Sequence, residues 1–299
     1  IEKIIWKLKK IEIFNDNLKN EKLLNFQNNN DQLFSIIQNS KLYYILEKSL
    51  SKNNLFKEVK FNKNFKYFDK YNLIINTDYS NFLTKKYFSK KIEKTYKSTA
   101  FTTKIKHQKI LNDTAIQIFT KNGPLAFLPI SDTSTSIVYS IHNSKNIKKL
   151  NVKDLILQYN PKYKIKLIDD IESFGLKSFI LRSYYYKNML AFGDLLHRIH
   201  PLAGQGFNMT IRDIKFLLEI IKEKKDLGLP FDCSVNKKFQ NKLRHKNFIF
   251  SNSVDFIHEF FNLDRKFNNK ILGKSVQLLG KNSYLNKLFT RIADRGINY

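Results

Sequence analysis

The stretch LAFGDLLHRIHPLAGQGFNMTIRDIKFLLEII, residues 190 to 221, constrains the fold more than any other part of the chain. An apolar run of strand length ends in Gly193-Asp194, a loop with His197, His200 and Pro201 follows, and Gly204-Gln205-Gly206 opens a segment with apolar residues at helical spacing through Asn208 and Asp213. A strand that delivers a turn and then a helix start belongs to an open α/β layer, where ligands sit beyond the carboxyl ends of the strands. Asp194 then stands where a ribose or polyol hydroxyl is bound. The free N–H groups of the helix start stabilise negative charge, and the glycines let a flat ligand approach the backbone.

The rest of the chain alternates strands and helices before ending in helices. Residues 9 to 16 read as a short strand, and Leu42, Ile45, Leu46 and Leu50 repeat at helical spacing after Asn39-Ser40. YNLIINTD, residues 71 to 78, is an apolar run that fits a buried parallel strand, with Asp78 at its ligand-facing end. From Thr95 to His142 the runs YKSTAFTTKI, TAIQIFT, LAFLPI and TSIVYSI, broken by KNG and SDTST, predict an antiparallel sheet. A short helix over 151 to 160, a strand FILRSYYY over 179 to 186 and a strand NMLAFGD over 188 to 194 come next. Helical periodicity then holds from Gln205 to Lys222 and from Val235 to Ile292, with the Phe-rich part from Phe248 to Phe261 reading as core.

A chain of 299 residues, 42% hydrophobic, buries a core of one large or two modest domains, which excludes wholesale disorder. Its net charge of +27 points to nucleic acid or an anionic membrane. The excess of Lys, Asn, Ile, Phe and Tyr over Ala, Gly and Pro is also the bias of an AT-rich genome, and no nucleic-acid-binding motif is present, so nucleic acid is not an expected partner. The single Cys233 excludes an intramolecular disulfide and a multi-cysteine zinc site, as expected of an intracellular protein. No carboxylate or thiol stands at ligand spacing from His197 and His200, so both read as packing or loop-ordering residues, no metal is expected, and His200 is the sole candidate for a catalytic role. No apolar run approaches the ~20 residues of a membrane-spanning helix. The chain begins at Ile1 and its methionines are Met189 and Met209, from which further residues upstream are expected.

GDLLHRIHPLAGQGFNMTIRD resembles the second flavin-binding motif of the flavoprotein aromatic hydroxylases, and specifically the pattern GD..H..HP.AGQG.N....D of the ubiquinone-biosynthesis hydroxylases. The resemblance implies that Gly193 and Asp194 meet the ribityl part of FAD, and that Pro201, Gly204, Gln205, Gly206, Phe207 and Asn208 face the isoalloxazine ring. KNGPLAFLPI, flanked by TAIQIFT and TSIVYSI, is similar to the family's substrate sheet, and Asp264-Arg265 with YLNKLFTRIADRGI to its closing helices. Asp78 stands where the family has an Asp-Gly that helps hold the FAD pyrophosphate.

The implied fold is α/β: a Rossmann-like FAD-binding domain lacking its first βαβ unit, with an interleaved antiparallel substrate sheet and C-terminal helices. The implied division runs 1–28 (substrate sheet), 29–95 (FAD domain), 96–187 (antiparallel substrate domain), 188–234 (FAD domain with the GD and AGQG motifs) and 235–299 (helices). The implied activity is FAD-dependent monooxygenation of a polyprenyl phenol in ubiquinone biosynthesis, with NADH or NADPH as reductant. The lipid substrate implies a cytoplasmic protein peripheral to the inner membrane, with other ubiquinone-biosynthesis proteins and an anionic membrane surface as partners. Lys242, Arg244, Lys246, Lys266, Lys270, Lys274, Lys281 and Lys287 would supply the membrane-facing charge.

No GxGxxG is present, which residues expected upstream of Ile1 would explain. Three internal departures favour an alternative, a degenerate non-catalytic homologue that serves the same pathway as a binding or scaffold protein: Tyr79 replaces the Gly after Asp78, Ser40 beside Lys41 replaces an Arg, and the segment from Phe56 to Tyr71 is short. Glycine at the Asp78-Tyr79 turn would allow a positive φ and close phosphate approach, both of which a tyrosine obstructs.

Overall fold

The structure is a computed structural model and describes residues 2–16, 22–27, 32–60, 70–142, 150–199 and 205–267. The expected roles of His200, Pro201 and Gly204 and of the closing segment beyond Phe267 fall outside the described residues. The elements in chain order are β1 (Ile5–Leu8), β2 (Lys10–Asn15), β3 (Lys22–Gln27), β4 (Phe34–Ile37), α1 (Asn39–Leu50), β5 (Ile74–Asn76), α2 (Phe82–Tyr87), β6 (Lys91–His107), β7 (Thr114–Thr120), β8 (Gly123–Pro129), β9 (Ser134–His142), α3 (Val152–Gln158), β10 (Ile165–Ile168), β11 (Glu172–Leu181), β12 (Tyr185–Tyr186), β13 (Met189–Ala191), β14 (His197–Arg198), α4 (Gln205–Asp226) and α5 (Cys233–Phe267). They form two compact units, one from Ile1–Val59 and Lys97–Gly175, the other from Lys60–Tyr96 and Leu176–Phe260.

The first unit is built on the strand order β6-β9-β8-β7-β2-β3. The KNG and SDTST turns close the β7–β8 and β8–β9 hairpins as the sequence predicts. Period-two alternation buries Leu125 and Phe127 of β8 and Ile137, Tyr139 and Ile141 of β9, and Val152 and Ile156 of α3 join that core. Burying each such side chain contributes about 1.5–3 kcal/mol. One pairing departs from the antiparallel expectation: β2 runs parallel to β7, from Lys10↔Thr114 to Asn15↔Phe119. No short hairpin links these distant segments, so nothing local dictates their direction. Strands β1 and β4 pair separately, and α1 forms at the predicted place with no buried residue.

In the second unit β13 lies between β12 and β5, antiparallel to the first and parallel to the second. Met189, Leu190 and Ala191 are all buried, the continuous apolar run of a parallel strand covered on both faces. Leu217 and Ile220 of α4 and Val235, Phe239 and Leu243 of α5 supply the cover, from positions three or four residues apart on one face of each helix.

FILRSYYY is not the single strand expected. β11 stops at Leu181 and β12 begins at Tyr185, because the Tyr184 ring is fully buried and its carbonyl accepts from Ala191 N at 2.8 Å. Lys187, at φ 52°, then turns the chain into β13. The Phe-rich run is only partly core: Phe250 is buried with Val254 one turn on, whereas Phe248 and Phe256 project off that face and are exposed. Among the described residues no helix is long and apolar enough to cross a membrane.

Candidate functional site

The register of β5 against β13 sets the site. Ala191 lies opposite Asn76, and Phe192 N donates to Asn76 O at 2.9 Å, so the two chains leave the sheet together at their carboxyl ends. Asp78 follows one strand by two residues and Asp194 the other by three. Gly193 takes φ 61°, a left-handed conformation that strains an L side chain, and opens a single 3-10 turn over Gly193–Leu195. A Cβ there would meet nothing within 4 Å, so backbone shape and not crowding calls for the glycine. Asp194 is exposed on this turn and makes no ion pair or hydrogen bond with any described residue.

The turn after β5 is locked by side chains the sequence analysis missed. Buried Asn76 donates from Nδ2 to Thr84 Oγ1 at 2.9 Å, and its Oδ1 accepts from Asn81 Nδ2 at 2.9 Å and Asp78 N at 3.2 Å. Thr84 Oγ1 donates to Asp78 O at 2.6 Å, and Asn81 Oδ1 caps α2 by accepting from Thr84 N at 2.8 Å. The available signal was Asn81 three residues before Thr84, a helix-capping spacing. The Asp78 carboxylate accepts from Ser80 N and Ser80 Oγ, both at 2.8 Å, and the amide first and hydroxyl second hold its pKa below the usual carboxylate value.

Tyr79 departs from expectation. Among the described non-glycine residues only Lys187 has a positive φ, so this turn needs no left-handed residue and the tyrosine carries no backbone strain. Its ring is instead engaged with the Phe179 ring and with Lys91 and Arg198.

The loop between Asp194 and α4 is tied down at its near end. His197 Nε2 meets Asp213 Oδ2 at 2.5 Å, both side chains being buried, and Asn247 Nδ2 donates to Asp213 Oδ1 at 3.4 Å. Asp213 sits on the buried stripe of α4 between Met209 and Leu217, so one carboxylate joins β14, α4 and α5. His197 is thus an ordering residue, as its sequence reading has it. Sequence spacing gave no sign of the pair, since a loop of unknown path separates its members.

At the start of α4 the first N–H groups have no acceptor within the helix. Gln205 Oε1 is buried without a hydrogen-bond partner, a Cβ at Gly206 would touch only Ile199 Cγ1 at 3.8 Å, and Phe207 and Asn208 are exposed. A carboxylate without a partner at a strand end, an orphaned buried amide oxygen and two glycines suit a ligand that combines hydroxyls with a flat ring. FAD is such a ligand, and the residues present fit it. Among the described residues no three His, Cys, Asp or Glu side chains gather as a metal site.

Solved structures share this architecture. p-Nitrophenol 4-monooxygenase PnpA from Pseudomonas putida DLL-E4 matches 98% of this chain and 83% of its own at a TM-score of 0.76 and 11% identity. PqsL of Pseudomonas aeruginosa, a probable FAD-dependent monooxygenase, matches 91% and 82% at 0.64 and 12% identity. The fold is that of the flavin-dependent monooxygenases. At these identities the likeness is one of fold, and it accounts for an α/β chain with an interleaved antiparallel sheet.

No protein-family model matches this flavin-monooxygenase-like chain. By sequence it is similar to 3-demethoxyubiquinol 3-hydroxylase of Escherichia coli strain K12, 28% identical over 156 residues, 50% of this chain and 40% of that protein. It is also similar to ubiquinone hydroxylase UbiM of Neisseria meningitidis, 24% identical over 49% of this chain and 34% of that one. Ubiquinone biosynthesis monooxygenase COQ6 of Dictyostelium discoideum is 26% identical over 66% and 40%. The chain therefore spans about two fifths of the length of the curated relatives it matches. The resemblance to the ubiquinone-biosynthesis hydroxylases stands on these relatives as well as on the GD and AGQG motifs.

Proposed function

We propose that this chain belongs to an FAD-dependent monooxygenase that hydroxylates the ring of a polyprenyl phenol in ubiquinone biosynthesis. The observation that carries the reading is the Ala191↔Asn76 register, which sends Asp194 and Asp78 off one sheet edge in the unit that also holds the start of α4. When bound, the flavin supplies the oxygen-transfer chemistry, with electrons from NADH or NADPH. The chain's own residues bind and orient. Asp194 accepts from a ribityl hydroxyl, and the N–H groups of Gln205 to Asn208 stabilise negative charge on the ring. Gly193 and Gly206 keep side chains out of the way, and by the sequence pattern Pro201 and Gly204 join Gly206 in facing the ring. Asp78 serves the dinucleotide from the other strand. His200 is the single side chain that the sequence leaves open to a proton-transfer role.

The purified protein is expected to carry flavin absorbance, or to gain thermal stability with added FAD. Asp194→Ala removes one hydrogen bond to a ligand from a carboxylate and is expected to weaken FAD by about 1–3 kcal/mol. A protein that takes up no FAD but binds a polyprenyl phenol would instead bear out the non-catalytic homologue that Ser40 and the short segment before Tyr71 favour.

The substrate class partitions into the bilayer, so the enzyme would meet it at the membrane surface, on the cytoplasmic side of the inner membrane. Basic residues on α5, among them Lys242, Arg244 and Lys246, together with Lys270, Lys274 and Lys281 farther on, each add ~1 kcal/mol beside an anionic leaflet. Vesicle co-sedimentation is expected to show binding to anionic but not neutral lipid, lost at high salt. No binding to either lipid at low salt would remove the membrane claim and leave the flavin claim intact.

A further inference from the structure

The Tyr79 ring lies 5.7 Å from Phe179, centroid to centroid, and is 48% exposed. Two cations share this ring pair. Lys91 Nζ lies 5.6 Å from the Tyr79 centroid and 4.9 Å from that of Phe179, and it donates to Tyr79 Oη at 3.1 Å. Arg198 Cζ lies 5.9 Å from both centroids and is held there by the Phe179↔Arg198 pairing of β11 with β14. The one carboxylate in the group, Glu93, is shared by Lys91 at 2.5 Å and Lys177 at 3.9 Å, while Arg198 has no carboxylate partner among the described residues. The Asp78 carboxylate is turned onto Ser80. Lys91 is thus held by Glu93 and Tyr79, whereas the Arg198 guanidinium beside the half-exposed Tyr79 ring has no counter-charge among the described residues, so a further anion entering here meets an unneutralised cation. A guanidinium fork beside an ammonium suits phosphate oxygens: the first binds two oxygens in a plane, the second acts as a point charge.

We propose that Lys91 and Arg198, held over the Tyr79–Phe179 ring pair, bind the pyrophosphate of a dinucleotide cofactor. The proposal rests on the flavin reading and deepens it. It gives Tyr79 a purpose where a glycine would leave both cations without a platform, and it adds residues that no motif marks. FAD and a nicotinamide dinucleotide both carry a pyrophosphate, so both are tested.

The test measures dissociation constants of inorganic pyrophosphate, FAD, NADPH and riboflavin for the wild type and for a Lys91→Gln/Arg198→Gln protein, with melting temperatures as the folding control. The double variant is expected to keep its melting temperature, to lose pyrophosphate at least about tenfold and one of the two dinucleotides by a similar factor, and to bind riboflavin unchanged. The dinucleotide that weakens is the one the site holds. Tyr79→Gly is expected to weaken the same ligands, because the ring and hydroxyl that hold both cations are gone. Unchanged pyrophosphate and dinucleotide affinities, an equal loss of riboflavin, or tighter binding by Tyr79→Gly would each overturn the proposal. A wild type that binds neither FAD nor riboflavin sinks the flavin reading instead, and pyrophosphate binding then decides the cluster alone.

Discussion

Gly123→Ala is expected to destabilise the protein by more than about 3 kcal/mol, a large share of the roughly 5–15 kcal/mol by which a native domain is usually stable. Two costs act together. Gly123 has φ 136°, a conformation that L side chains rarely adopt, and a Cβ built there lies 2.0 Å from the carbonyl oxygen of Ser140 and 3.2 Å from its carbon. Both neighbours are backbone atoms of β9, held by its pairing with β8 and β6, so neither can swing aside. The turn is also pinned by Thr120 Oγ1, which donates to Gly123 O at 2.8 Å, and by His142 N, which donates to Asn122 O at 3.0 Å. Gly175, where a Cβ would meet nothing within 4 Å, is the control, and alanine there is expected to shift stability by less than about 1 kcal/mol. Urea unfolding of both variants decides the matter, and equal midpoints would show that the close approach to Ser140 is not what demands the glycine.

Asp213→Ala is expected to cost about 3–5 kcal/mol, the usual penalty for removing one partner of a buried, hydrogen-bonded pair. The substitution leaves the His197 ring buried without its acceptor and takes from Asn247 the oxygen it donates to. The paired His197→Leu/Asp213→Leu protein is expected to recover part of the loss, since no orphaned ring or carboxylate then remains. A double-mutant cycle from urea unfolding, with His197→Leu and Asp213→Leu as the single variants, measures the coupling. A cycle in which the two changes simply add would mean that the contact is incidental and that the loop before α4 is ordered by other means.

What the sequence revealed follows the range of each interaction. The alternation of β8, the all-apolar β13 and the helical stripes of α4 and α5 were legible because burial imposes a period of 2, a continuous run or a period of 3.6 on neighbouring residues. The GD and AGQG motifs were legible because strand end, turn and helix start are contiguous. By contrast β1, β3 and β4 are short, partly exposed strands, so no clear local period marks them, and β1 and β4 find each other only across the intervening strands. The clamp of Asn76, Asn81 and Thr84, the His197–Asp213 pair and the cations over Tyr79 depend on which segments pack together. Tyr79 shows the difference most plainly. From its neighbours alone it reads as a lost glycine, whereas its surroundings, drawn from β6, β11 and β14, make it the platform of a charged cluster.

The parallel pairing of β5 with β13 has a consequence for how the protein is made. Asn76 and Met189 are 113 residues apart in the chain. A ribosome adding about 5–20 residues each second therefore exposes β5 for roughly 6–23 s before its partner exists. During that interval the strand that leads to Asp78 has an unsatisfied edge and apolar side chains in contact with water, the condition in which nascent chains aggregate or recruit chaperones. The edge that carries both carboxylates is thus completed late in synthesis, and the yield of ligand-competent protein should depend on the pace of translation and on chaperone supply more than on the final stability of the sheet.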